Sequence, residues 1–175
     1  GATGTITLTA GELLVKKAVT ITGPGARSLA VSGNNVRGVF DVDLNVGPVT
    51  LAGLTVTGGS LVGNEGGGIF NGGTLILTRC TVTGNRAVDG GGIANAGTLT
   101  VVESTVSGNH ASGYGGGIFS ETNSDLSSSS TTILNSTISG NTAGTEGGGV
   151  NNSDGLTRVL YSTVTDNRAP DGGGL

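Results

Sequence analysis

Asp41 and Asp43, one residue apart, are the closest pair among the twelve acidic residues of this 175-residue chain. On a strand their shared parity would aim both at one face. Two carboxylates held across a groove are what acid–base glycoside cleavage requires. That chemistry needs partners which the sequence does not place nearby. No Asp-Asp step, Gly-His-Gly or Arg-x-Lys accompanies the pair. His110, the single histidine, stands where Arg86, Thr142 and Arg168 stand in other repeats, so the position reads as a corner and not a base. Cys80, the single cysteine, excludes an intramolecular disulfide and takes the place of Ser104, Ser136 and Ser162. A small residue at a tight site is the better reading there than a reactive thiol. A polysaccharide-active enzyme is therefore the third choice, with no catalytic residue assigned.

A second acidic row is regular. Glu65, Asp89, Glu146 and Asp171 each precede Gly-Gly-Gly, with Tyr114 breaking the row. Carboxylates stacked one above another repel. Arg86 and Arg168, three residues before Asp89 and Asp171, offer counter-charge. Ca²⁺, which takes oxygen ligands from carboxylates and turn carbonyls, is the less favoured alternative, and no other cofactor is expected.

These residues are set by a repeat. Short β-type runs stop at Gly11, Gly33, Gly58, Gly84, Gly108, Gly140 and Asp166, at intervals of 22, 25, 26, 24, 32 and 26 residues. Gly-Gly-Gly keeps the same beat at Gly66, Gly90, Gly115, Gly147 and Gly172. A period of this length means stacked supersecondary units, none able to bury its apolar side alone. With 36 glycines, 3% aromatics and 11% charged residues, the core must be long, thin and aliphatic. The three prolines exclude collagen, and the net charge of −4 excludes a disordered polyelectrolyte. Eight scattered basic residues make no phosphate-tracking surface, so no nucleic acid is expected. No run is long and apolar enough to insert in a membrane.

The unit 90–114 shows the code. Ile93, Leu99, Val101 and Val106 point one way, and Thr98, Thr100, Thr105 and Ser107 the other. Leu75, Leu77, Val82, Ile133, Ile138, Val159 and Val164 take the inward places in neighbouring units. Earlier candidates are Leu14, Val19, Ile21, Leu29 and Val31, then Val39, Val49, Leu51, Leu54 and Val56. The expected fold is all-β, a right-handed single-stranded parallel β-helix of about seven coils of roughly 22–26 residues. One domain spans 1–175, read as a fragment of a longer protein. The 32-residue interval reflects a serine-rich insertion at 120–130, expected to bulge as a loop.

Two kinds of column follow. Asn85, Asn109, Asn141 and Asn167 close the third strand of each unit, with Asn34 in step, and Asn71, Asn95 and Asn152 close the first, with Ser120 substituting. Stacked turn asparagines satisfy corner groups that would otherwise be buried unpaired, so these are structural ladders. The outward hydroxyls form the candidate binding face: Thr55, Thr57, Thr81, Thr83, Thr105, Ser107, Thr137, Ser139, Thr163 and Thr165. Thr7 and Thr9 extend it, and Ala30 interrupts it. The array looks like the surface of β-solenoid ice-binding proteins, which makes ice binding the second choice. The plainer account is that threonine suits a solvent-facing strand.

The motifs GGGIFN at 66–71, GGGIAN at 90–95, GGGIFS at 115–120 and GGGVNN at 147–152, with the T-[VI]-[ST]-G-N corner, resemble the bacterial polymorphic-outer-membrane-protein group of β-helices. That group usually shows Gly-Gly-Ala and a separate FxxN tetrapeptide, and here a third glycine replaces the alanine and FxxN is lacking. The resemblance implies export to the bacterial exterior, secreted or at the cell surface, and adhesive or scaffolding work without enzymatic activity. Its implied partners are a host-surface, glycan or matrix ligand. Other copies of the chain, meeting through open solenoid ends, are a further candidate.

Overall fold

A computed structural model describes residues 3–122 and 129–175, and all regular structure in them is β. The chain winds so that equivalent strands stack in parallel into four sheets. A seven-stranded sheet carries the Thr-x-Thr/Ser runs, from Gly4–Thr7 through Thr55–Thr57 and Thr105–Ser107 to Thr163–Thr165. A six-stranded sheet holds Phe40–Val42 and, in the coils beyond it, the strands that follow Gly-Gly-Gly, including Ile69–Asn71, Ile93–Asn95 and Ile118–Ser120. The third, also six-stranded, holds longer strands such as Thr98–Val102 and Ser129–Leu134. Arg86–Ala87, His110–Ala111 and Thr142–Ala143 form a fourth, short sheet. Seven strands on the first face enclose six complete turns. No helix among the described residues is long and apolar enough to cross a membrane.

Period-two alternation builds the core. Val31, Val56, Val82, Val106 and Ile138 stack on the first face, and Phe40, Ile69, Ile93, Ile118 and Val150 on the second, all buried. Leu51, Leu77, Val101 and Ile133 complete the core from the third. Each fully buried side chain of this size contributes about 1.5–3 kcal/mol, and the columns repeat it at every turn.

The first coil departs from the sequence expectation. Thr7 pairs with Ser32, so the opening run ends before Leu8 and not at Gly11. The short interval of 22 dissolves, and Thr5 and Thr7 take the ladder positions expected of Thr7 and Thr9. Leu14 aligns with the outward Asp41 and is 49% exposed, while Leu13 and Val15 align with buried Phe40 and Val42. A one-residue slip reverses every side chain, and only pairing with the next coil fixes it. The 120–130 insertion leaves the stack undisturbed, since Asn95 pairs with Ser120 and Thr98 with Ser130. Residues 123–128 of the expected loop lie outside the described residues.

One core position turns polar. Below Leu75 and Leu99 the column continues as Thr131 and Thr157. Thr131 Oγ1 accepts from Asn95 Nδ2 at 2.9 Å and lies 2.8 Å from Ser120 Oγ. The Thr157 hydroxyl is buried without a partner among the described residues. Thr157→Val keeps the shape and removes the orphan, so it should raise stability by about 1 kcal/mol, read as a higher urea midpoint.

Candidate functional site

Three interior polar columns hold the corners. Asn85, Asn109 and Asn141 each donate through Nδ2 to Oδ1 of the next asparagine, at 3.0, 3.0 and 2.9 Å, ending at Asn167. Each Oδ1 also accepts the backbone amide of the residue one coil earlier. The column ends at the Gly59 amide, which Asn85 Oδ1 caps at 2.8 Å, and Asn34 stands outside it, exposed at φ +59°. In the second column Asn71 donates to Asn95 at 2.7 Å, and Asn95 passes the chain to Thr131. Asn152 is exposed and, among the described residues, donates only to its own turn, at Gly155 O. The third column was legible only as small residues. Cys80, Ser104 and Ser136 amides donate to the Oγ of Ser104, Ser136 and Ser162 at 3.0–3.1 Å. Burial pushes the Cys80 thiol pKa up, which suits a packing role.

The Gly-Gly-Gly segments are buried where backbones approach closely. A Cβ on Gly92 would lie 2.5 Å from Gly117 O and 2.9 Å from Asn109 Nδ2. That contact leaves no room for an alanine methyl at the third glycine of this turn.

The outward hydroxyls stack in register. Thr55, Thr81, Thr105, Thr137 and Thr163 make one column, and Thr57, Thr83, Ser107, Ser139 and Thr165 the other. Thr55 Oγ1 donates to Ala26 O at 2.7 Å. Beside this face His110 sits on a short strand, its Nδ1 2.8 Å from Thr142 Oγ1.

The glycine-rich face carries a groove that the sequence did not single out. Its floor is the outward column Leu14, Asp41, Phe70, Ala94, Phe119 and Asn151. Its rim is the row Glu65, Asp89, Tyr114 and Glu146, in which the carbonyls of Asp89, Tyr114 and Glu146 accept the amides of Gly66, Gly90 and Gly115, each from the preceding coil. Two cavities open along it. One, of about 430 Å³, holds Phe70 among Glu12, Asp41, Glu65 and Asp89. The other, of about 470 Å³, is lined by Tyr114, Phe119, Glu146, Asn151 and Asn152. Tyr114 and Phe119 stack with centroids 6.1 Å apart and 26° between planes. The signal was parity: two of only three phenylalanines fall on outward positions.

Carboxylates crowd the first cavity. Burial, then Glu12, then Asp43 raise the Asp41 pKa, against a lowering by Lys16. Asp43 lies beyond the strand, where its Oδ1 accepts the Leu44 amide at 2.8 Å, and its charge is one of those that raise Asp41. Asp89 accepts the Tyr114 amide at 2.6 Å, so the backbone of the next coil supplies a stabilising partner that the sequence did not single out. Among the described residues no group of three or more His, Cys, Asp or Glu is placed to hold a metal ion.

Glu65 is pushed up to about 7 by burial, then by its hydrogen bond with Glu121 and the charges of Glu121 and Asp89. The folded chain thus holds a proton here that the unfolded chain releases near 4.5. Stability should fall as pH rises from about 4.5 through 7 and level off above. Since Glu65 is half exposed, the loss should be about 1–2 kcal/mol. Glu65→Gln should flatten that fall, seen by comparing urea midpoints at pH 5 and pH 8, with the remaining slope coming partly from Asp41.

The stacked coils, their polar columns and their tight glycine corners define a β-solenoid repeat protein. Residues 103–121 match the Chlamydia polymorphic membrane protein repeat, a span running from Glu103 through Asn109 and the glycine corner to Glu121. The match covers 19 of the 175 residues, so one coil of the solenoid is similar to that repeat. No curated protein and no solved structure gives a significant match.

Proposed function

We propose that the chain is a rigid segment of a bacterial surface or outer-membrane-associated protein, and that it works as an adhesin or scaffold without catalysing a reaction. The observation that carries this reading is the polymorphic membrane protein repeat at 103–121, set in an unbroken parallel stack. The physics agrees with it. A solenoid whose every coil is bonded to its neighbours resists bending and presents fixed side-chain columns to solvent. The test is accessibility on intact cells of the source organism. Antibody raised against the folded chain should label unbroken cells, and beads coated with the chain should attach to a host-cell or matrix surface. Labelling only after lysis, with no bead attachment, would sink the proposal.

A further inference from the structure

The groove on the glycine-rich face combines three properties that flat solenoid faces lack. Its floor alternates large and small: Phe70, then Ala94, then Phe119 on successive coils. Its aromatic surface is accessible, with Tyr114 39% exposed over the nearly buried Phe119. Its two cavities pair each aromatic position with hydrogen-bonding side chains, Asn64 and Glu65 beside Phe70, and Glu146 and Asn151 beside Tyr114. Apolar walls with a few placed polar groups are the usual make-up of a small-ligand site.

We propose that this groove binds an extended amino-sugar polysaccharide lying along the solenoid axis, with rings stacked on Phe70 and on Tyr114. A sugar ring has an apolar C–H face and a rim of hydroxyls. An aromatic side chain takes the first, and carboxylates and amides take the second. Coils repeat at about 4.8 Å, close to the length of one sugar unit in an extended chain, so successive units meet successive coils. Ala94, between the aromatics, is buried, so the unit there passes over the small-residue step without a stacking partner. Glu12, Asp41, Glu65, Asp89 and Glu146 choose the charge of the chain. They repel uronate or sulfated glycans and favour the ammonium groups of a 2-amino sugar, which also sit well over aromatic faces. This inference rests on the adhesin reading and names its ligand class.

The test is calorimetric titration of the full chain at pH 6 with glucosamine oligomers, a heparin fragment and oligolysine. Glucosamine oligomers should saturate, heparin should not bind, and oligolysine should bind at least tenfold more weakly. Tyr114→Ala and Phe70→Ala should each weaken glucosamine binding about tenfold or more with unfolding temperature unchanged. A flat glucosamine titration, equal binding of oligolysine, or unaffected variants would overturn the proposal. Bead attachment that persists in the Phe70→Ala, Tyr114→Ala double variant would overturn the groove while leaving the adhesin reading standing.

Discussion

Gly116→Ala should cost about 3 kcal/mol or more and lower the urea midpoint sharply, or prevent folding altogether. The added methyl would press on the carbonyl of Thr142 and lie 2.5 Å from the Gly148 carbonyl, both backbone atoms of the stack. Neither can rotate away as a side chain would. The same substitution at Gly91 meets His110 and Gly116 backbone in the same way. Two controls separate crowding from a general dislike of alanine. Gly140 has open space around its missing methyl but sits at φ +61°, so Gly140→Ala should cost only about 1 kcal/mol. Gly11 has open space and no such backbone constraint, so Gly11→Ala should be neutral or slightly stabilising. Equal losses at all three positions would refute the close-approach account.

The second large effect belongs to the asparagine column. Asn109 is 1% exposed and its side chain makes four contacts of hydrogen-bonding length. Its Nδ2 donates to Val82 O and Asn141 Oδ1, and its Oδ1 accepts from the amide and Nδ2 of Asn85. Asn109→Ala strands several of these groups where water does not reach. With about 1–3 kcal/mol for each buried group left unsatisfied, the loss should be about 3 kcal/mol or more. Asn152→Ala removes one exposed bond and should change stability by less than about 0.5 kcal/mol. Paired urea melts of the two variants check the contrast. A small effect at Asn109 would mean that the corner re-forms around water.

Both effects were foreshadowed unequally by the sequence. The column Asn85, Asn109, Asn141 and Asn167 was legible because each follows a Thr-x-Thr/Ser strand at the same step of the repeat. Its true end was not. Asn34 keeps that step, yet the Asn85 carboxamide is spent on the Gly59 amide, and the column closes there. The small-residue column from Cys80 to Ser162 was visible as a pattern, but its amide-to-hydroxyl bonding was not. The acidic row before Gly-Gly-Gly was read correctly as a stack. Its partners were not, since Asp89 reaches the Tyr114 amide and Glu65 reaches Glu121, which lies 56 positions away in sequence.

The sequence by itself determined the parallel solenoid, its aliphatic core and the outward hydroxyl columns, because period-two alternation within a repeating unit is a local property. Each strand states its inner face without reference to its neighbours. The tertiary structure alone decided the register of the first coil, where Leu13 and Val15 face inward in place of Leu14. It alone also joined Glu12, Asp41, Phe70 and Asp89 around one cavity. Those residues come from different coils, and only stacking at the inter-strand spacing brings them together. The groove is a property of neighbouring turns, and no single turn contains it.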